Sequence, residues 1–187
     1  MSKNENVMKL LQPWEYLGVM NNEFGDTIYG TVPGMNKKSY YHILLNKVPT
    51  ELLEETIKEN PALRNTRYVK ELECNNGLKL FSGKLFFFGF NLKTSESGRP
   101  AFSVAWDIRL RNIGNKELRE KFDGVVIGGQ NISHTGELFI EQRQNKFIAV
   151  RLSDFTQTNE WESIEQLISD TIQMGNKAYG VKLNSIP

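Results

Sequence analysis

The sequence contains one cysteine, two histidines and no surplus of either charge among its 187 residues. A single cysteine excludes an intrachain disulfide framework and any zinc site built from several cysteines. The 23 basic and 22 acidic residues give a formal net charge of +1, which provides no overall field to attract nucleic acid or an anionic membrane. Net charge therefore gives no support to a nucleic-acid partner, and we expect no membrane partner.

The sequence also lacks a long hydrophobic run. Its longest apolar stretch covers residues 85–90, includes Gly89 and is far too short to cross a bilayer. The polar start of the chain is not followed by the apolar core and small-residue cleavage site of a secretory signal. A cytoplasmic location is the resulting expectation.

The composition is otherwise that of an ordinary globular protein, with 39% hydrophobic and 24% charged residues. At this length we expect one domain, residues 1–187. Helical patterns towards both ends of the chain flank a long central run of strand-like segments. We predict the α+β class, with a curved, mostly antiparallel central sheet of about six to eight strands, flanked by a helix in the N-terminal half and by a C-terminal helix.

Two patterns in the central run predict individual strands. Apolar and polar residues alternate over residues 101–111, which is typical of a strand with one face in water. Residues 67–74 are predicted as another strand. Asn-Gly pairs tolerate a positive φ, so we expect residues 75–77 to form a hairpin turn after it.

Capping residues predict where two of the helices begin and end. Thr50 is expected to cap a helix of about ten residues. A final helix is predicted over residues 160–174, with a capping box at Asn159 and Glu162. Gly175 is the expected C-terminal cap of that helix, because glycine adopts the left-handed conformation without steric cost.

A candidate binding surface lies on the wet face of the predicted strand at 101–111. Asp107, Arg109 and Arg111 share that face, and Arg99 lies in the loop before it. Arginine binds carboxylates and phosphates through paired hydrogen bonds, so this face is a candidate contact site for another macromolecule. The alternative is that these side chains form cross-strand ion pairs on a solvated sheet.

Residues 123–143 resemble the layout of restriction-type nucleases, in which two carboxylates on neighbouring strands hold Mg²⁺ beside the attacking water. Asp123 and Glu141 are the candidate metal ligands, and Glu137 is a further candidate carboxylate. Arg143 stands where such enzymes carry a lysine. Arginine stays protonated at neutral pH, so it can hold a phosphate or the attacking water but cannot act as a general base.

The remaining reactive and aromatic residues raise three further candidate sites. Cys74 with His42 or His134 is a candidate nucleophile–base pair, although no third residue supports it and a semi-buried structural cysteine is the alternative. The aromatic run at 85–90 favours core packing over a stacking platform for single-stranded nucleic acid. A small apolar ligand inside the curved, aromatic-rich sheet would require a cavity of at least a few hundred Å³.

The leading prediction is a non-enzymatic, cytoplasmic protein that binds another macromolecule, most simply a protein, as accessory, inhibitory or immunity-type proteins do. This follows from ample core-forming residues, near-zero net charge, no cofactor motif and no convergent catalytic set. No cofactor is expected on this interpretation. The alternative is a Mg²⁺-dependent nuclease, or a degenerate relative of one, that uses Asp123 and Glu141.

Overall fold

The fold is an antiparallel sheet accompanied by helices. A computed structural model describes residues 3–30, 42–64, 66–91, 104–132, 135–144 and 146–180. Within these residues nine strands form one curved, open, antiparallel sheet, and six α-helices accompany it. Each strand is hydrogen-bonded to its neighbours in sequence, in the order β1 to β9. The predicted α+β class is confirmed, with slightly more strands than expected.

The strands are β1 (Val19–Asn21), β2 (Thr27–Tyr29), β3 (His42–Leu44), β4 (Leu78–Leu80), β5 (Leu85–Phe87), β6 (Gly124–Gln130), β7 (Glu137–Gln142), β8 (Phe147–Arg151) and β9 (Gln157–Trp161). The helices are α1 (Lys3–Leu11), α2 (Thr50–Glu59), α3 (Tyr68–Glu71), α4 (Ile108–Gly114), α5 (Lys116–Lys121) and α6 (Ile164–Gly180). Short 3₁₀ helices cover Gln12–Leu17 and Pro61–Leu63.

One hydrophobic core joins the sheet to the two terminal helices. α6 contacts β5 and β9 and packs along α1. Trp14 is fully buried, and its Nε1 donates to Asn176 Oδ1 at 2.7 Å. Asn176 Nδ2 in turn donates to the Leu10 carbonyl at 2.9 Å. Because a buried indole N–H needs a partner, this pair of bonds holds α1 against α6.

The prediction of a strand at 101–111 is wrong for residues 104–111, which are the part of it that the structure describes. The Asp107 carboxylate accepts a hydrogen bond from the Arg109 N–H at 2.8 Å and caps α4, which begins at the next residue, Ile108. Leu110, which the alternation assigns to the buried face, is 67% exposed. The alternating pattern runs across a helix start and therefore does not mark a sheet face.

The strand predicted at 67–74 is also wrong, because this segment forms α3 and the turns after it. Gly77 has the expected positive φ of 89°, but residues 75–77 lead from α3 into β4 and close no hairpin. A Cβ at Gly77 would lie 2.6 Å from the carbonyl oxygen of Phe87. Glycine is therefore required here by the close approach of β5 as well as by φ.

The caps predicted for the two longer helices are not those that the structure shows. Asn159 belongs to β9, and α6 begins after Glu162. Gly175 lies inside α6 and is not its C-terminal cap. α2 covers the expected residues, but Pro49 rather than Thr50 occupies its N-cap position, without a side-chain hydrogen bond.

Candidate functional site

Asp107 and Arg109 are bound to one another at the start of α4. Arg109 Nη2 donates to Asp107 Oδ2 at 2.6 Å and Arg109 Nε donates to Oδ1 at 3.0 Å, while the Asn91 N–H donates to Oδ2 at 3.1 Å. Burial acts to raise the pKa of Asp107, but the bonds from Arg109 and Asn91 outweigh it and the pKa lies below its usual value. The charges of this pair are therefore satisfied within the molecule.

Arg111 lies beside aromatic rings. Its guanidinium carbon is 5.7 Å from the centroid of the Trp106 ring and 6.0 Å from that of Phe88. Lys79 also approaches Trp106, with Nζ 5.3 Å from the centroid, and donates to the Val104 carbonyl at 2.6 Å. Cation–π contacts orient a cation without neutralising it. Among the described residues no carboxylate forms an ion pair with Arg111, so its charge faces solvent.

Two apolar side chains extend this region along α4. Leu110 is 67% exposed and Ile113 is 72% exposed, more than any other large apolar side chain in the described residues. Residues three apart in a helix lie on one face. A groove of about 420 Å³ adjoins Leu110 and is lined in part by Trp106, Leu110 and Arg111. We call Trp106, Leu110, Arg111 and Ile113 together the α4 surface.

The α4 surface overlaps the binding site predicted from the sequence only in part. Arg111 belongs to it, whereas Asp107 and Arg109 serve as the cap of α4 and its partner. Arg99 lies outside the described residues. Sequence reasoning missed the apolar residues of this surface. The signal available in the sequence was an aspartate followed by Leu110 and Ile113 at helical spacing, since Asp is a preferred N-cap.

Glu141 is buried and holds the start of α3. The residue is only 3% exposed. Oε1 accepts the Arg67 N–H at 2.5 Å and Oε2 accepts the Tyr68 N–H at 2.9 Å. Burial raises the pKa of Glu141, and these backbone bonds act in the opposite direction. The first N–H groups of a helix have no acceptor within the helix. The Glu141 carboxylate, on the distant strand β7, therefore accepts the N–H groups at the start of α3.

Asp123 and Arg143 face each other where β6 begins and β7 ends. Arg143 Nε lies 3.1 Å from Asp123 Oδ1, and both side chains are well exposed. Glu137 lies at the other end of β7 and accepts a bond from Gln130 Nε2 at 2.7 Å. Four residues along a strand separate the Cα atoms of Glu137 and Glu141 by about 13 Å. The structure therefore brings Asp123 to Arg143, and it does not bring Glu137 to Glu141.

No group of three or more His, Cys, Asp or Glu side chains in the described residues is placed to hold a metal ion. The magnesium ligands Asp123 and Glu141 stay a prediction from the sequence. His42 is fully buried: its Nδ1 accepts the Phe81 N–H at 3.2 Å, and its Nε2 has no hydrogen-bond partner in the described residues. His42 is thus not hydrogen-bonded to Cys74, and His134 lies outside the described residues.

A scan against protein-family models, a search of curated proteins and a search of solved structures find no match to this chain. Function must therefore be argued from the geometry of the sites. Within the described part of the chain, no helix combines the length and the apolar character that a membrane crossing needs.

Proposed function

We propose that this chain is a non-enzymatic, cytoplasmic binding protein that contacts another protein through the α4 surface. The observation that carries the proposal is the exposure of Leu110 (67%) and Ile113 (72%) on one face of α4. Adjacent large apolar side chains in water are a feature of interaction sites, because an isolated protein gains stability by burying them. A partner that covers α4 removes this apolar area from water.

The polar groups of the α4 surface define the chemistry of the partner. Tryptophan and arginine are among the residue types that contribute most to binding at protein interfaces. Arg111 is already positioned over the Trp106 ring, so less side-chain freedom is lost on binding. Its charge is not paired with a carboxylate of the described residues. The contacting segment of the partner is therefore expected to carry a carboxylate flanked by apolar side chains.

Affinity capture with a pair of matched variants tests the proposal. The full chain is tagged, and the bound proteins are identified by mass spectrometry and quantified. The double variant Leu110→Ser/Ile113→Ser removes the apolar face of α4. Leu152→Ser removes an apolar side chain that is 45% exposed elsewhere on the surface, and it serves as the control. All replaced side chains are exposed, so we expect all variants to keep the thermal midpoint of the wild type.

The expected result is one protein captured by the wild type and by Leu152→Ser at similar yield, and at least about tenfold less by the double variant. Retention of that protein by the double variant would overturn the proposal. Recovery of nucleic acid alone, or of no protein at all, would overturn it too.

A further inference from the structure

A cavity of about 380 Å³ lies between α1, α6 and the sheet. It shares no lining residue with the α4 surface. The volume falls within the range of sites that bind small organic molecules. Its apolar part is built from Val7, Leu10, Tyr68, Leu78, Phe87 and Ile168, which belong to or pack against the main hydrophobic core. An apolar body that entered this cavity would therefore extend the core.

The walls of the cavity are held by contacts that do not depend on a ligand. The hydrogen bonds that join Trp14, Asn176 and Leu10 fix α1 against α6. On the other side, the Tyr68 ring stacks on Phe87 with centroids 6.4 Å apart, and the Tyr68 hydroxyl donates to the carbonyl of Phe88. A site with ordered walls loses little conformational entropy when it binds a ligand.

The charged residues of the lining do not favour a charged ligand. Glu71 and Glu165 already have interaction partners within the chain. Lys9 is exposed to solvent, and an ion pair with an exposed ammonium group adds little to binding. A charged ligand group would lose its hydration on entry without gaining a buried counter-charge in return. The lining therefore favours a neutral molecule.

Asn75 supplies hydrogen-bonding groups to the lining that the chain itself does not use. The residue is half-buried, and its backbone N–H donates to the Glu71 carbonyl at 3.0 Å. Its side-chain amide forms no hydrogen bond with another described residue. In contrast, Ser169 Oγ already accepts a bond from Gln173 Nε2 at 3.2 Å. A side-chain amide offers both donors and an acceptor, so its complement is a neutral group that also does both, such as a hydroxyl or a carboxamide.

We propose that this cavity binds a small neutral organic molecule, with an apolar body of about ten to fifteen non-hydrogen atoms against the core side chains and a hydroxyl or carboxamide group at the Asn75 side chain. The apolar body leaves water and removes the exposed part of Leu10 from water with it. The polar group replaces its bonds to water with bonds to Asn75. This site is independent of the proposed function of the α4 surface.

Three probes with one indole body and different head groups test the preference for a neutral ligand: tryptophol, tryptamine and indoleacetate. Isothermal titration calorimetry of the full chain at neutral pH is expected to show one tryptophol site per chain. Tryptophol should bind at least about tenfold more tightly than the cationic tryptamine and the anionic indoleacetate, because only the charged head groups lose strong hydration. Absence of one-to-one binding of tryptophol, or equal or tighter binding of either charged probe, would refute the proposal.

A variant that fills the cavity locates the site. Ser169→Trp places a large ring in the cavity and should weaken tryptophol binding at least about tenfold. Gln166→Trp, at an exposed position on the same helix that does not line the cavity, is the matched control and should not weaken it. Unchanged binding by a folded Ser169→Trp variant would contradict the proposal.

Replacement of the amide gives a second test that does not depend on how Ser169→Trp folds. Asn75→Leu keeps a side chain of similar size but cannot form hydrogen bonds. It should weaken tryptophol several-fold and should not weaken 3-ethylindole, which lacks the hydroxyl group. Asn159→Leu, at an exposed position on β9 outside the lining, should weaken neither probe.

Unchanged tryptophol binding by Asn75→Leu, or equal weakening of both probes, would count against the site. The Leu110→Ser/Ile113→Ser variant should bind tryptophol like the wild type, which separates this site from the α4 surface.

Discussion

His42 is enclosed by aromatic rings in the core. The centroids of the Phe81, Trp14 and Tyr29 rings lie 4.7, 4.9 and 6.1 Å from that of the imidazole. Burial lowers the pKa of His42 to about 3, because an imidazolium would lose its hydration without gaining a counter-charge. Nδ1 accepts the Phe81 N–H, so the proton of the neutral ring is on Nε2.

Acid should therefore destabilise the protein through His42. The unfolded chain binds this proton near pH 6.5 and the folded chain only near pH 3, so the unfolded state holds more protons in between and stability falls as the pH falls. In this range His42 lowers the free energy of unfolding by up to about 1.4 kcal/mol for each pH unit of acidification. His42→Asn, which keeps an acceptor for Phe81, should flatten urea-unfolding free energies measured between about pH 6 and pH 4. Parallel curves for the two proteins would show that His42 is not the titrating group.

Glu141 should be important for stability, because both of its oxygens accept backbone hydrogen bonds. An amide at this position keeps one acceptor and turns its NH₂ group towards the second N–H. Glu141→Gln should therefore lower the unfolding free energy by about 1–3 kcal/mol. Glu137→Gln, at a half-buried position on the same strand, is the control. It should lower the unfolding free energy by a smaller amount. Urea unfolding at neutral pH measures both.

The nuclease alternative makes a different prediction for the same residue. It requires wild-type protein to cut supercoiled plasmid in Mg²⁺ or Mn²⁺, with the cutting lost in Asp123→Asn and in Glu141→Gln. Our proposal of a binding protein expects no metal-dependent cutting by any of the three proteins. Cutting by the wild type that Asp123→Asn abolishes would favour the nuclease, since Asp123 is exposed and its replacement should not unfold the chain.

At the scale of elements, α6 shows how packing can require a poor helix former. Gly175 is buried inside this helix against the ring of Phe81. A Cβ at Gly175 would lie 2.1 Å from Phe81 Cε2, far inside the contact distance of two carbons. Phe81 is fully buried and stacks on Tyr179 of the same helix with centroids 5.6 Å apart. The ring therefore has no room to move away.

Two glycine-to-alanine variants should change stability in opposite directions. Gly175→Ala should lower the unfolding free energy by about 1–3 kcal/mol through overpacking. Gly114→Ala, at the end of α4 where a Cβ meets nothing within 4 Å, should raise it by about 0.5–1 kcal/mol through helix propensity. Thermal unfolding of both variants measures this. An increase in the unfolding free energy of both variants would mean that helix propensity alone determines stability at these positions.

At the scale of the whole molecule, basic and acidic residues are nearly equal in number. We therefore expect the salt dependence of partner binding to depend on one local cation of the α4 surface. The net charge is +1, so long-range steering is weak. Arg111 is the cation of the α4 surface, and it is oriented by Trp106 and Phe88. Its contribution to binding a carboxylate is expected to be screened by salt.

Replacement of Arg111 should therefore weaken partner binding in a salt-dependent way. With the captured partner purified, Arg111→Gln should raise the dissociation constant about five- to fiftyfold at low ionic strength and less at high ionic strength. Lys116→Gln, which is also exposed but lies on α5, should change it little. A fall in wild-type affinity by several orders of magnitude with added salt would instead indicate contacts to many phosphates.

The elements that the sequence predicted well are those whose signal is local. α2 covers the ten residues expected after Thr50, and α6 overlaps the helix predicted over residues 160–174, because the apolar periodicity of each is carried by neighbours in the chain. The failures at 67–74 and 101–111 have distant or competing causes. α3 begins where Glu141 accepts its N–H groups from far along the chain, and Asp107 caps a helix inside an alternating pattern.

The site could be predicted only in part for the same reason. Charge and side-chain chemistry identified Arg111 as a binding candidate, but alternation placed Leu110 inside and left Ile113 unremarked. Exposure depends on which face of an element meets the rest of the molecule, and a sequence pattern does not contain that information when the element type is wrong. Both Leu110 and Ile113 are among the most exposed apolar residues of the described chain.

The amino-acid sequence by itself determined the α+β class, the antiparallel sheet and the lack of a strong net charge, since these follow from periodicity and composition. Only the tertiary structure decided that Glu141 is a buried partner of α3, that Gly175 is a packing residue and that the apolar face of α4 is left in water. Each of these depends on atoms far apart in the chain that meet on folding, where close packing and desolvation set the role of a side chain.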